Sequence, residues 1–443
     1  MLWKACEFQQ AFSVRLAKLQ YNCLRWRVRG IDSGYMDSQD ESLKNMYYLD
    51  RMMQLSIAEK DDKLAYQTVE LMKKFFGEHT VQQEYSGRLL RLCSTALLAK
   101  RYKTVEILLD TYKPLIRRLD ELSCSKMLEE FVILIDLAKK SGQAYIMEKI
   151  AKCVFECSHK IGAAGYLAAI NAIKDVGLNA IKNHDAFLLK SASASVKFFS
   201  KPQSLEQEKA LILLLRVWLH QILKRDDQQS FQAFRAMVLS LHDAEKLPVQ
   251  FVESMIAESD NLAGLVGANI HMMCRKPLVS FLVEISQNSV NYLQKTSYCI
   301  GQMVKMSIAL HGLSAGFDIL LPLLEHGRGC LKGELKFVKS VDSMRQRHLF
   351  AIIRETVILI KSIAKQEGGV GEVEVVLEIR KYWQARYQRE GNRHSVDQFC
   401  QLLLRQMLKD RQRLSKRLCP SSKKLLDKPL FDIFQIKKLG LES

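Results

Sequence analysis

Apolar residues recur three and four positions apart through most of the chain, and short polar turns break the pattern at even intervals. Ala65, Val69, Met72 and Phe76 form one such stripe; Val105, Leu109 and Tyr112 form a second, and Phe231, Phe234, Val238 and Leu241 a third. This spacing puts the side chains on one face of an α-helix. Between stripes stand Glu59-Lys60-Asp61-Asp62, Lys100-Arg101-Tyr102, Lys139-Lys140-Ser141-Gly142, Lys182-Asn183-His184-Asp185 and Lys224-Arg225-Asp226-Asp227. From Lys60 through Lys100, Lys140 and Lys182 to Lys224 the steps are 40, 40, 42 and 42 residues. A fixed period of this size predicts stacked helical hairpins, none of which can bury its apolar face alone.

The expected fold is therefore all-α, an α-solenoid of antiparallel helical hairpins. The hairpins are placed near 40–76, 82–118, 123–158, 163–199 and 204–241. Four segments follow from the pattern: an N-terminal basic amphipathic helix and loop (1–38), five hairpin repeats (39–245), divergent helical repeats or a second helical unit (246–369), and basic C-terminal helices (370–443). Beyond about residue 245 the period is expected to fade, with Asp260-Asn261 a candidate turn. The glycines at 327, 329 and 333 read as an interruption before a long helix from about 334 to 366. Pro114 and Pro322 lie inside apolar helical patterns, so each predicts a kink or a restart.

The period and the paired helices resemble α-solenoids of the HEAT, armadillo and TPR-like kind, with the spacing nearest HEAT or armadillo. The resemblance covers about residues 40–245 and is architectural. It implies a curved surface used to bind a protein or peptide, and it carries over no catalytic residues or cofactors.

Charge sharpens the picture. Of the net +18, residues 1–29 hold six basic groups against one acid, and residues 380–443 hold sixteen against six. A near-neutral body with two basic ends points to acidic partners at those ends. At the N-terminal end the candidates are Arg25, Arg27 and Arg29. At the C-terminal end they are Arg380, Lys381, Trp383, Arg386, Tyr387, Arg389, Arg393, Arg411, Arg413, Lys416, Arg417, Lys423 and Lys424. Arginine interleaved with Trp and Tyr can neutralise phosphates while stacking on bases. The same composition suits anionic lipid headgroups, and it equally suits a solvated helix face. The apolar stretch from Phe431 to Leu441 is expected to dock back onto the body. Eleven cysteines without framework spacing, and no uncharged run long enough to span a bilayer, lead to the expectation of a reduced, cytoplasmic setting.

Catalytic and metal signatures are thin. Gly312-Leu313-Ser314-Ala315-Gly316 matches G-x-S-x-G, with Asp342 and His348 or His394 as nominal partners. That chemistry needs a strand before the serine and a helix after it. Cys153, Cys157 and His159 share a helix without a zinc knuckle's spacing, so the thiols are expected to act as small buried hydrophobes. The expectation is a non-enzymatic interaction scaffold with a protein partner on its repeats and no cofactor. Nucleic-acid binding by the C-terminal helices, and membrane docking through the first helix, are the alternatives.

Overall fold

The structure is a computed structural model that describes Leu19 and residues 39–75, 79–200, 202, 204–243, 250–287, 289–332, 342–366, 371–387 and 390–417. The N-terminal helix and loop expected over 1–38, of which only Leu19 is described, and the expectations placed on the segment after 417, including the docking of Phe431 to Leu441, lie outside the described residues. Every regular element described is helical, and the chain divides into two compact units: Met1–Trp218 with Ala236–Pro248, and Leu219–Arg235 with Val249–Ser443.

In the first unit the hairpins are α1 (Gln39–Ala58) with α2 (Asp62–Phe75), α3 (His79–Leu98) with α4 (Tyr102–Ile116), α5 (Glu121–Ser141) with α6 (Ala144–Ile161), and α7 (Ala163–Lys182) with α8 (Ala186–Val196). A fifth pair, α9 (Leu205–Arg225) and α10 (Gln228–Asp243), contributes to both units. Each helix packs on its hairpin partner and on the next helix of its own row, so α1, α3, α5 and α7 form one layer and α2, α4, α6 and α8 the other. Between the layers lie the periodic apolar side chains, among them Met53, Ala65, Met72, Cys93, Val105, Tyr112 and Phe131, all almost wholly buried. Burying one such side chain contributes roughly 1.5–3 kcal/mol, which is what holds one hairpin to the next.

The polar turns have a common construction. The helix-ending residues Lys60, Lys100, His184 and Asp226 all take left-handed backbone angles, with φ between 54° and 59°, and Gly142 does so at 68°. One residue later the amide of Asp61 donates to Ser56 O (2.9 Å), that of Arg101 to Ala96 O (2.7 Å), that of Asp185 to Ala180 O (2.9 Å) and that of Asp227 to Ile222 O (3.2 Å). These are the six-to-one bonds of a Schellman motif, which satisfy carbonyls that the helix end leaves open. Three of these residues are aspartates that then cap the next helix, accepting from Leu64 N, Leu188 N and Ser230 N at 2.8–3.0 Å. One polar tetrapeptide thus closes one helix and opens its partner. Arg101 replaces the capping aspartate in the second turn. Its guanidinium reaches back to Lys60 O (2.9 Å) and Asp62 (2.7 Å), tying two turns together.

The second unit continues with α11 (Phe251–Asn261), α12 (Ala263–Ala268), α13 (Arg275–Ser286), α14 (Val290–His311), α15 (Leu313–Lys332), α16 (Asp342–Gln366), α17 (Glu372–Gln384) and α18 (Glu390–Arg417). The spacing holds through two further turns here. Asn269, which ends α12, follows Asp226 by 43 residues, and Gly312, between α14 and α15, follows Asn269 by 43. Asp226 accepts from the amides of Met273 and Cys274 (2.8 Å each), and His311 Nε2 bonds Ala268 O (2.6 Å), so adjacent turns are again linked. What changes is the turn chemistry, from a charged tetrapeptide to a longer loop and then a glycine, and that hides the repeat from the sequence.

Two local expectations are corrected, and of the kink or restart expected at each inner proline the restart does not occur. Asp260 and Asn261 close α11, but α12 starts two residues later and the reversal waits until Asn269. Gly327 and Gly329 do not interrupt the chain; both lie inside α15. A Cβ at Gly327 would stand 2.6 Å from the Phe399 ring and 3.2 Å from Ile352 Cγ2, so the glycine serves close helix approach. Helices α4 and α15 run on through Pro114 and Pro322 without a restart.

Candidate interaction surfaces

The C-terminal candidates fall into place around two carboxylates of α15. Asp318 and Glu325 are seven residues apart, two helical turns, and project on one face. Asp318 accepts from Lys276 Nζ (2.7 Å), from Arg386 (2.5 Å) and from the Tyr382 hydroxyl. Glu325 accepts from Trp383 Nε1 (2.5 Å), from Arg328 Nε (2.9 Å) and from the Tyr387 hydroxyl. On α18, Asp397 takes Arg380 Nε (2.6 Å). Burial alone would raise the Asp318 pKa; the bonds from Lys276 and Tyr382 outweigh it and hold the carboxyl below its usual value. Tyr387 is pushed up to about 12, first by burial and then by its bond to Glu325.

Trp383 is fully buried, edge-to-face on Phe399 with ring centroids 5.6 Å apart. The Arg386 guanidinium lies over the Tyr382 ring at 4.6 Å, and Arg328 lies over Tyr387 at 5.1 Å. Arg393 donates to Tyr387 O (2.9 Å). Arg380, Trp383, Arg386 and Tyr387 thus serve first to dock α17 against α15 and α18. Lys381, with 81% of its side chain exposed, and Arg413 face solvent. Arg411, Lys416 and Arg417 belong to α18, but their side chains lie outside the described residues, as do Arg25, Arg27, Arg29, Arg389, Lys423 and Lys424 entirely.

In the first unit a cleft of about 260 Å³ opens between α4, α6 and Phe198. Lys149 spans it, donating to Glu106 (2.8 Å) and Asp110 (3.0 Å), and the Tyr145 hydroxyl also donates to Glu106. Burial would lower the Lys149 pKa; the bonds to Glu106 and Asp110 reverse that and raise it. Cys153 lies at the cleft wall, its thiol pushed up to about 12 by burial and directed at Leu109 O (3.7 Å). A protonated thiol and a carboxylate-bound ammonium leave this cleft without an activated nucleophile.

Ser314 is exposed in the first turn of α15, directly after helix α14. A helix where the nucleophile elbow needs a strand removes the geometry that gives G-x-S-x-G its meaning. Among the described residues no three His, Cys, Asp or Glu side chains are grouped to hold a metal ion, and the eight described cysteines are all buried thiols. No described helix is long and apolar enough to cross a membrane.

Among the described residues, large apolar side chains stand in solvent on several helices. Helix α5 exposes Leu122 (66%) and Ile133 (60%); α14 exposes Tyr298 (61%), Met306 and Leu310; α16 exposes Phe350 (63%) and Ile358 (52%). On α14 and α16 they alternate with cations such as Lys305, Arg347, Arg354 and Lys365, and α14 has no acidic residue at all. Exposed residues on each helix recur at three and four, an unburied second stripe.

No protein-family model matches the chain, and no curated protein does. Among solved structures, a circular tandem repeat protein with novel repeat topology is 14% identical over 92% of this chain and 100% of its own, with a TM-score of 0.27. An engineered protein is 13% identical over 83% of this chain and 96% of its own, with a TM-score of 0.29. At that likeness neither bears on function.

Proposed function

We propose that this chain is a non-catalytic interaction scaffold whose helical repeats hold a protein partner along their outward faces. The observation that carries the reading is the set of large apolar side chains left in solvent on α14 and α16, where a helix buried on one side needs none. Contiguous exposed apolar residues rimmed by charge are typical of protein-binding surfaces. The repeats supply rigidity: bonds spanning one repeat fasten the turn at Lys60 to that at Arg101, Asp226 to Cys274 and Ala268 to His311, so a partner meets a preformed surface.

The test is cross-linking mass spectrometry on the intact chain with partners captured from cells. The reading expects cross-links from Lys305 and Lys365, and their loss when Phe350 and Ile358 become serine. Cross-links confined elsewhere, or unaffected by those changes, would contradict it. The nucleic-acid alternative draws on Lys381, Arg413 and the basic segments at either end. Changing Arg386, Arg389, Arg411 and Arg413 to Glu should then abolish RNA binding, and binding that survives would dispose of that alternative.

A further inference from the structure

We propose that Cys124 and Cys157 form a redox-active dithiol, which hydrogen peroxide closes into a reversible disulfide across the α5–α6 hairpin. Cys124 lies near the start of α5 and Cys157 one turn before the end of α6, and the two helices pack against each other. In a hairpin the start of one helix meets the end of the other, and the two thiols are in hydrogen-bond contact there. Both side chains are fully buried. Their cover is one helical turn deep, because Asp120, Glu121 and Leu122, just before Cys124, are exposed. Fraying of that turn, a low-cost motion at a helix end, admits a molecule as small as a peroxide.

The surroundings give the two thiols unlike roles. Lys160 shares a face of α6 with Cys157, three residues earlier. Its ammonium donates to Arg117 O (2.8 Å) and Leu119 O (2.7 Å), which holds it over the turn leading into α5. There Asp120 caps α5, accepting from Ser123 N (2.8 Å), so Cys124 stands near the positive end of the helix dipole. The contact with Cys157 and the charge of Lys160 hold the Cys124 pKa below the usual thiol value, against burial and Asp120. The same contact, and then burial, pushes Cys157 up. One thiol is set to lose its proton and the other to keep it, which divides attack from resolution. Other buried thiols lack this setting. Burial pushes those of Cys93, Cys153, Cys274, Cys299 and Cys400 up, and Cys153 is directed at Leu109 O on α4.

Peroxide is the oxidant, and the steps balance. The Cys124 thiolate attacks one peroxide oxygen and the O–O bond breaks. Hydroxide leaves and takes up the proton that Cys124 gave, forming water and leaving Cys124 as a sulfenic acid. The Cys157 sulfur then attacks the Cys124 sulfur. The S–S bond forms as the S–O bond breaks, and the Cys157 proton leaves with the hydroxyl as a second water. Two thiols lose two electrons and two protons, and the peroxide is reduced to two waters. A dithiol reductant reopens the bond by exchange. The disulfide adds a covalent link beside the Lys160 tether, fastening the start of α5 to the end of α6.

The experiment treats the folded full chain with hydrogen peroxide, alkylates it after unfolding, and maps its disulfides by mass spectrometry without reductant. The expected result is a linked Cys124–Cys157 peptide, at least about tenfold more abundant than any other cysteine pair and lost on treatment with dithiothreitol. In Cys157→Ser, dimedone should trap a sulfenic acid at Cys124; in Cys124→Ser, Cys157 should remain a thiol. Recovery of both residues as thiols from the unaltered chain, at a peroxide dose that fully oxidises free glutathione, overturns the proposal. Links scattered equally among the buried cysteines overturn it as well, and so does dimedone labelling of Cys157 in Cys124→Ser.

Discussion

Single residues show which rules the chain obeys tightly. Gly327→Ala would drive a methyl to 2.6 Å from the Phe399 ring, and overpacking of this kind costs about 1–3 kcal/mol. The midpoint of urea unfolding should fall accordingly; an unchanged midpoint would mean that α15, α16 and α18 are less closely packed than described. In sequence this glycine looked like a helix breaker, because glycine's cost in a helix is local whereas its benefit here comes from a ring 72 positions away.

His326 and His348 make a second case. His348 is fully buried with both ring nitrogens lacking a hydrogen-bond partner, and His326 Nε2 is also buried without one. Burial lowers the His326 pKa to about 4, with the neighbouring His348 adding to it, and burial lowers that of His348 too. Both imidazoles are neutral when folded, while the unfolded chain takes up their protons below about pH 6.5. Stability is therefore complete above that pH and declines as the pH falls toward about 4, by up to roughly 3 kcal/mol through His326 alone. Urea titrations at several pH values should show this slope, and His326→Leu should flatten it. A slope indifferent to that substitution would contradict the assignment.

Among the elements, the turns are the most legible part of the molecule. Their charge and spacing announced the hairpins because one aspartate performs two backbone tasks that few other residues can. Asp185→Ala removes the cap of α8 and should cost about 1 kcal/mol, measured as a shift in the thermal midpoint. Lys100→Gly should move stability the other way, by about 0.5–1 kcal/mol, since only glycine takes a left-handed φ without penalty. A destabilised Lys100→Gly would mean that the lysine side chain makes a compensating contact. The docking of α17 was much less legible. Its aromatic and cationic residues looked like a nucleic-acid surface, and their carboxylate partners on α15 lie about sixty residues away, a pairing that no local pattern reports.

At the scale of the whole molecule, a single step of 40 to 43 residues passes through both compact units, from Lys60 to Gly312. Such arrays derive stability from neighbour-to-neighbour packing, which leaves outward faces free to vary for binding. The charge distribution belongs to the same picture: basic ends by sequence, and within the second unit an outward wall with cations set among exposed apolar side chains. That wall was not legible beforehand, because isolated apolar residues among polar ones do not reveal in sequence which of them the fold leaves exposed.

The central claim is that outward helix faces, not a catalytic centre, form the working surface of this protein. Hydrogen–deuterium exchange on the intact chain with and without a protein partner captured from cells tests it most directly. The account predicts slowed exchange along α14 and α16, with α4, α6 and their cleft unchanged. Protection confined to α17 and α18, or to the cleft at Lys149, would contradict it.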